Sequence, residues 1–548
     1  MSRIARTPVH NTTGTFTDRG SVASKQMTTL SPSSISRLYQ PSSCELRTWL
    51  RSHGFEESPP GEFDEFIFAQ GLLHEHRVLE ELRANHPDLI DLDGFNNKNA
   101  ESETIAALED GGHLIYQGMF VVNTELGGNQ VTILGYPDFL IPDGDSWIIS
   151  DAKLTRSIFN KPRKDGTRTP KSTKIQIVLQ LQLYGWMLAQ IIPGAKFTLQ
   201  VNTGSGDTEE VEYDGGEAAL TALERVLEIE ALPEEPAEEV GWSKCSDCGF
   251  REHCWPRAEE RQAIGIVIDV NVKLAAKLTE AGVTSYSDLY ESHNEESLAE
   301  LKSPGKGDDP AQQAAARLIL ENAEALSTGL PVRRRQADGA PFPIPAELSA
   351  DDNYVMFDLE GAPPEGSTEQ IVYIWGAQVF GNNGGKFEAA IAGFDPGGDE
   401  QGWRDFLELA AAMIAEHPGI RFVHWANYEK DMVTKYLERF GDDAADTGAT
   451  VLASLLNLLP IAEKIVAVPL PSYSLKVVEK LIAFERKAVE VGKGDDSIVA
   501  YTTARDSNDA AVQAEIIESI RAYNEEDLAA TWAVQEWLVG LGGTNPPS

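Results

Sequence analysis

The sequence predicts an α/β protein of several domains, and three observations carry that reading. Its 548 residues suit roughly three or four folding units of about 100 to 200 residues each. Hydrophobic residues make up 42% and aromatics 8%, enough apolar side chain for packed cores and too much for a disordered chain. Along the chain, short runs patterned like strands alternate with longer runs whose apolar residues recur at helical spacing.

Residues 1–28 are polar, rich in Ser, Thr and Arg and without periodicity, so they read as a disordered tail, with Met27 a second candidate start. Residues 29–258 form the first α/β domain. Phe63 to Asn85 has helical spacing, QVTILGYPDFLIP and SWIISDAK read as strands, and Lys174 to Ile191 is long and apolar enough for a buried helix. Asp207 to Glu239 holds thirteen acids and one basic residue, Arg225, and reads as a solvated helix and loop.

Residues 259–336 read as small helices. Leu274 to Glu291 gives a helix, a turn at Gly282 and a second helix from Ser285, similar to a helix-hairpin-helix element, a type that grips phosphates through turn N–H groups but equally serves as a connector. The Pro-rich stretch 337–352 reads as a linker. Residues 353–548 form a second α/β domain, with strands at YVMFDLEG, IVYIWGAQVF and IRFVHWA, a helix at QGWRDFLELAAAMIAE and mostly helices thereafter.

The chain carries 46 Lys and Arg against 86 Asp and Glu, a net charge of −40. That excludes non-specific coating of nucleic acid or anionic membrane by the whole surface, so a nucleic-acid site must be a local basic patch. Lys153 to Lys174 holds eight Lys or Arg and one acid, Asp165. Arg156, Lys161, Arg163, Lys164, Arg168, Lys171 and Lys174 are therefore candidate phosphate contacts, although such a loop can also be merely solvated. The most apolar window, Val451 to Leu470, is broken by Asn457, Pro460, Glu463 and Lys464, which argues against a membrane span. Four cysteines are too few for a disulfide scaffold and no secretory apolar region opens the chain, so the cytoplasm is expected.

Those cysteines carry chemistry. Cys245, Cys248 and Cys254 fall within ten residues, CSDCGFREHC, and Cys44 is the fourth. Four thiolates suit either a [4Fe-4S] cluster or structural Zn²⁺. Asp138, in Gly135-Tyr136-Pro137-Asp138, precedes Asp151-Ala152-Lys153 by thirteen residues, the PD-(D/E)xK spacing. Two carboxylates on neighbouring strands can hold Mg²⁺ or Mn²⁺, and a lysine two residues on projects from the same face to orient water or stabilise a pentavalent phosphate. His74 is a candidate third ligand, with Glu75 the alternative, and Gln180 and Tyr184 share one helix face behind the site. In the second α/β domain Asp358 and Glu360 lie on one strand face, Tyr523 and Asp527 lie one helical turn apart, and VHWANYEKDM supplies Glu429 or Asp431.

The order His74, Asp138, Asp151-x-Lys153, Gln180-x-x-x-Tyr184, bracketed by one early and three late cysteines, resembles the RecB-like iron-sulfur nucleases, which include the CRISPR-associated adaptation exonuclease and nuclease subunits of bacterial recombination complexes. Leu30 to Leu50 resembles that family's first helix. The resemblance implies a PD-(D/E)xK restriction-endonuclease-like domain whose four-cysteine cluster pins its two ends together. Residues 353–548 resemble a ribonuclease H-like 3′-5′ exonuclease of the DEDDy kind, closest to the YprB-like group. That implies four acids, Asp358, Glu360, Glu429 and Asp527, holding two metals while Tyr523 positions water. The chain departs from the group in having His424 and Tyr428-Glu429 where Asn and Phe-Asp are usual, and Ser474-Leu475-Lys476 resembles an S-L-K segment of the group. The fused order resembles a bacterial family of RecB-like nucleases. The expectation is a metal-dependent nuclease acting on DNA, in preference to RNA, at single-stranded ends in repair, recombination or defence. Two alternatives are that the C-terminal domain does the work on DNA or RNA, and that the protein is a non-catalytic nucleic-acid scaffold. No P-loop is present, so no Walker-type motor is built in, and a helicase supplied in trans is a candidate partner.

Overall fold

The computed structural model describes residues 28–93, 97–349, 352–363, 369–487 and 494–542; the expected tail, apart from Thr28, lies outside these. The first domain runs β1 (Thr28–Leu30), α1 (Pro32–Tyr39), α2 (Glu45–Ser52), α3 (Glu62–Asn85), β2 (Ile90–Asp91), α4 (Asn97–Asp110), β3 (Ile115–Tyr116), β4 (Phe120–Leu126), β5 (Asn129–Gly135), β6 (Phe139–Asp143), β7 (Ser146–Lys153), α5 (Ile175–Ile191), β8 (Lys196–Thr203), β9 (Thr208–Val211) and α6 (Glu217–Glu230). A three-stranded sheet has the order β1-β5-β4 and a six-stranded sheet the order β2-β3-β6-β7-β8-β9.

The β6–β7 hairpin pairs Phe139 with Ser150 and Asp143 with Ser146, turning at Gly144, whose φ of +64° suits a residue without Cβ. β7 and β8 are parallel, so the chain between them needs a crossover, and α5 supplies it. This helix is apolar nearly all round because it touches β4 of one sheet and β7 and β8 of the other. The acidic stretch 207–239 departs from the expected solvated helix and loop. It forms edge strand β9, and α6 buries Ala219, Ala222, Leu223, Val226 and Ile229, since its acids occupy only the outer face.

Next come α7 (Trp242–Cys245), α8 (Arg251–Glu260), α9 (Val272–Glu280), α10 (Tyr286–Ser292), α11 (Glu295–Lys302) and α12 (Pro310–Thr328). The last four enclose a small core of their own that includes Leu274, Leu278, Leu289, Leu298 and Ile319. The α9–α10 turn passes through Gly282 at φ +87°, and Ser285 and Asp288 cap α10 reciprocally. The expected linker is packed rather than loose. β10 (Val332–Arg333) pairs with a short strand of the C-terminal domain, and Phe342, Ile344 and Leu348 sit in that domain's cores. Prolines alternate there with apolar side chains that gain by burial.

The C-terminal domain runs β11 (Tyr354–Ala362), β12 (Ile371–Phe380), β13 (Glu388–Ile391), α13 (Gly398–Glu416), β14 (Arg421–His424), α14 (Tyr428–Phe440), α15 (Thr447–Ser454), β15 (Leu455–Asn457), α16 (Leu458–Ile465), β16 (Val466–Ala467), α17 (Leu475–Leu481), α18 (Gly494–Asp506) and α19 (Ala510–Gly540). Its sheet order is β13-β12-β11-β14-β15, antiparallel among the first three and parallel from β11 to β15. One face packs Phe357, Trp375, Trp403 and Phe406; α19 lies against β11 and β12. Helix α18 packs against α3 of the first domain. Among the described residues no helix is long and apolar enough to cross a membrane.

Candidate active sites

In the first domain the hairpin places two carboxylates side by side. The Asp138 N–H donates to Asp151 Oδ1 (3.1 Å) and the Ala152 N–H donates to Asp138 Oδ2 (2.9 Å), so each acid is held by the other's strand. Lys153 Nζ lies 3.1 Å from Asp151 Oδ2 and 3.6 Å from Asp138 Oδ2. Behind them, the Gln180 amide donates to Asp151 Oδ2 (2.7 Å), and Tyr184 donates to the Tyr136 carbonyl (2.9 Å). Gly135 permits this approach of α5, since a Cβ there would meet Met187 Sδ at 2.9 Å and the Tyr184 ring at 3.0 Å.

Burial, followed by the neighbouring Asp151 carboxylate, pushes the Asp138 carboxyl up to about 8. Burial on its own would pull the Lys153 ammonium down, but Asp138 and Asp151 outweigh it and raise its pKa. Helix α3 contributes Glu75, which accepts from Tyr116 Oη (2.8 Å) and Gln117 Nε2 (2.7 Å); the same Gln117 amide lies 3.3 Å from Asp138 Oδ1. His74, expected as a ligand, is turned away. Its Nε2 lies 3.1 Å from the Asn202 carbonyl and its Nδ1 2.7 Å from Arg77 Nη2, so one ring nitrogen fastens α3 to β8 and the other meets an arginine of its own helix. One residue of helical rotation separates the fastener from the acid that faces the site.

In the C-terminal domain Asp358, Glu360 and Asp527 each offer a carboxylate oxygen, all within 4.8 Å of one another. The first two come from β11 and the third from α19. Asn524, one turn before Asp527, donates to Asp358 Oδ2 (2.7 Å). It reaches there because Gly376 on β12 leaves the space, a Cβ being only 1.7 Å from Asn524 Oδ1. Ser497 of α18 donates to Glu360 Oε2 (2.8 Å), Lys476 Nζ sits 3.1 Å from Asp527 Oδ1, and Arg486 bridges Asp527 and Glu479.

Burial, then the charge of Asp527, holds Asp358 well above the usual carboxylate range, and burial pushes Glu360 up to about 8. Glu429 is buried and lies outside the trio, its Oε2 3.0 Å from His424 Nδ1; Asp431 is exposed. Tyr523 is buried with Lys476 Nζ 4.3 Å above its ring. The sequence pointed to Lys476 only through a resembling segment, and Ser497, Arg486 and Asn524 carried no local signal, because each gains meaning only from what lies across the fold.

The four cysteines are thiols without disulfides. Cys44 caps α2, its Sγ accepting from the Arg47 N–H (3.4 Å). Cys44, Cys248 and Cys254 pack against one apolar cluster, and Cys245 and Cys254 against another. Burial pushes the Cys44 thiol up to about 12 and Cys254 up to about 11. In the basic loop Arg156, Lys161, Arg163 and Lys164 are exposed. Arg168, by contrast, pairs with Glu209 (2.6 Å), Lys171 donates to the Ser157 carbonyl (2.8 Å), and burial lowers the pKa of Lys174. Arg168 is nonetheless exposed like the loop's tip and Arg156.

Residues 36–255 match the PD-(D/E)XK nuclease superfamily, and residues 355–539 match the RNase_H superfamily. The chain therefore joins two domains of nuclease superfamilies, which supports a hydrolase acting on nucleic acids. No curated protein matches it. Among solved structures it is similar to that of SSO0001, at 17% identity over 42% of this chain and 88% of that one with a TM-score of 0.24. It is also similar to a "Putative exonuclease" from Eubacterium rectale, at 18% identity over 41% of this chain and 87% of that one with a TM-score of 0.25.

Proposed function

We propose that the first domain is the main catalytic centre, a metal-dependent exonuclease acting on single-stranded DNA ends, in repair, recombination or defence, with strand separation supplied by a helicase in trans. The observation that carries this is the Lys153 ammonium beside two interlocked carboxylates, Asp138 and Asp151, with Glu75 fixed next to them. Buried acids whose carboxyls are pushed upward are stabilised by a cation, and their hard oxygens suit Mg²⁺ or Mn²⁺. Asp138, Asp151 and Glu75 would hold the ion, which supplies Lewis acidity and an acidified water when bound. Lys153 places positive charge where a pentavalent phosphate gains negative charge. Gln180 orients Asp151, Tyr184 fixes the backbone before Asp138, and the basic loop tip gathers phosphates.

Cys44, Cys245, Cys248 and Cys254 would hold a structural [4Fe-4S] cluster. Support comes from their soft sulfur donors and their spacing. A second reading, that the C-terminal domain is a 3′-5′ exonuclease in its own right on DNA or RNA, is favoured by the compact trio Asp358, Glu360 and Asp527.

The test is incubation of the full chain with end-labelled single- and double-stranded DNA and RNA, in Mn²⁺ and in EDTA. Metal-dependent loss of single-stranded DNA from its ends is expected, abolished in Asp138→Ala and Lys153→Ala and retained in Asp358→Ala. The reverse pattern transfers the activity to the C-terminal domain. No cleavage by the wild-type chain on any of these substrates makes the protein a binding scaffold.

A further inference from the structure

Helix α3 carries a stripe that changes character along its length. At 3.6 residues per turn, Phe68, Leu72, Glu75 and Leu79 share one face. Leu79 is buried against Phe139 and Ala152 of the sheet, and Glu75 meets Tyr116 and Gln117 beside Asp138. One and two turns earlier the same face leaves the sheet, with Leu72 56% exposed and Phe68 61% exposed. Large apolar groups left this exposed cost solvation.

Gly71 is a second, independent sign. It lies on this face between Phe68 and Glu75, and a glycine inside a helix is less favourable than alanine. Crowding does not explain it, since a Cβ there would meet nothing within 4 Å. The chain thus keeps an open notch one turn from Glu75, flanked by exposed apolar side chains.

We propose that Phe68, Leu72 and the Gly71 notch form a base-gripping mouth that selects unpaired strands for the Asp138–Lys153 site. This rests on the nuclease reading of that site and names how it would choose its substrate. Base faces of a single strand lie open to stack on Phe68 and contact Leu72, while the backbone passes the notch toward Asp138 and Lys153. In a duplex those faces are already stacked on neighbours, so it gains nothing from the mouth. The occupant follows from continuity with the catalytic carboxylates and from Arg156, an exposed cation that lines one cavity with Phe66, Ile67 and Gln70 at this end of α3.

The experiment measures binding of fluorescein-labelled single-stranded and duplex DNA to the full chain in EDTA, which separates gripping from cleavage. The double variant Phe68→Ala/Leu72→Ala alters exposed side chains and should keep the wild-type melting temperature. It should lose about tenfold or more in single-strand affinity with duplex affinity unchanged. Phe68→Trp should hold or tighten the single strand. Gly71→Leu should raise the melting temperature and weaken single-strand binding. Single-strand affinity unchanged in the double variant, or an equal loss for duplex, overturns the proposal. Absence of Mn²⁺-dependent cleavage by wild type would instead remove the nuclease reading, with binding still reporting on the mouth.

Discussion

Asp138 and Glu360 are carboxyls that burial pushes up to about 8, one in each site. Their unfolded values are about 4, so in metal-free protein the folded state binds more protons than the unfolded chain across this interval. Their stabilising contribution is complete below about pH 4 and is lost as pH rises through 8. The melting temperature in EDTA should therefore fall between about pH 5 and 8.5. The paired change Asp138→Asn/Glu360→Gln should flatten that slope, and Mn²⁺ should raise the wild-type curve most at its alkaline end; differential scanning fluorimetry across pH reads all three.

Glu429 sets a second expectation at the same scale. It stands with His424 where the resembling group has Asp and Asn, and the 3.0 Å contact between the two makes them a unit. Glu429→Asp alone should lower C-terminal nuclease activity by withdrawing the carboxylate from His424. His424→Asn/Glu429→Asp should recover it, as measured on 3′-labelled strands in an Asp138→Ala background that silences the first site.

At the scale of elements, Arg334 ties the helical region to the C-terminal domain. It is buried, pairs with Glu321 (3.1 Å), and donates to Asn322 (2.7 Å) on α12 and to Tyr473 Oη (3.1 Å) ahead of α17. Arg334→Met would leave the buried Glu321 carboxylate uncompensated and should cost about 3 to 5 kcal/mol, splitting one urea transition into two if α9–α12 and the C-terminal domain then unfold separately. Nothing local marks this joint, because three residues before a Pro-rich stretch look like the start of a tether. Strand β7 was legible to the residue, since SWIISDAK is apolar and bounded by turn chemistry. Strand β9 was hidden by its acids: edge strands tolerate charge, so composition alone pointed to solvent. The helix of Phe63 to Asn85 was plain, but which of two adjacent residues, His74 or Glu75, faced the carboxylates depended on a helix rotation that only the sheet beneath it sets.

For the whole molecule, the proposed cysteine cluster would join α2, near the start of the first domain, to α7 and α8 at its end. Anaerobically purified protein should be brown with about four irons per chain, and Cys248→Ala should lower the melting temperature by releasing both ends at once. Stoichiometric zinc without iron would point to the structural alternative.

The sequence by itself determined the two α/β domains, their order and the residue types at each site, because hydrophobic period, ligand spacing and carboxylate pairs on one strand are local properties. Only the tertiary structure decided which side chains serve them. Glu75 beside Gln117 and Asp138, Lys476 and Arg486 on Asp527, Ser497 on Glu360, Asn524 in the slot left by Gly376, and Glu429 held by His424 each join positions brought together by packing. The position of a carboxylate depends on what is buried against it, and that is settled by elements distant in the chain.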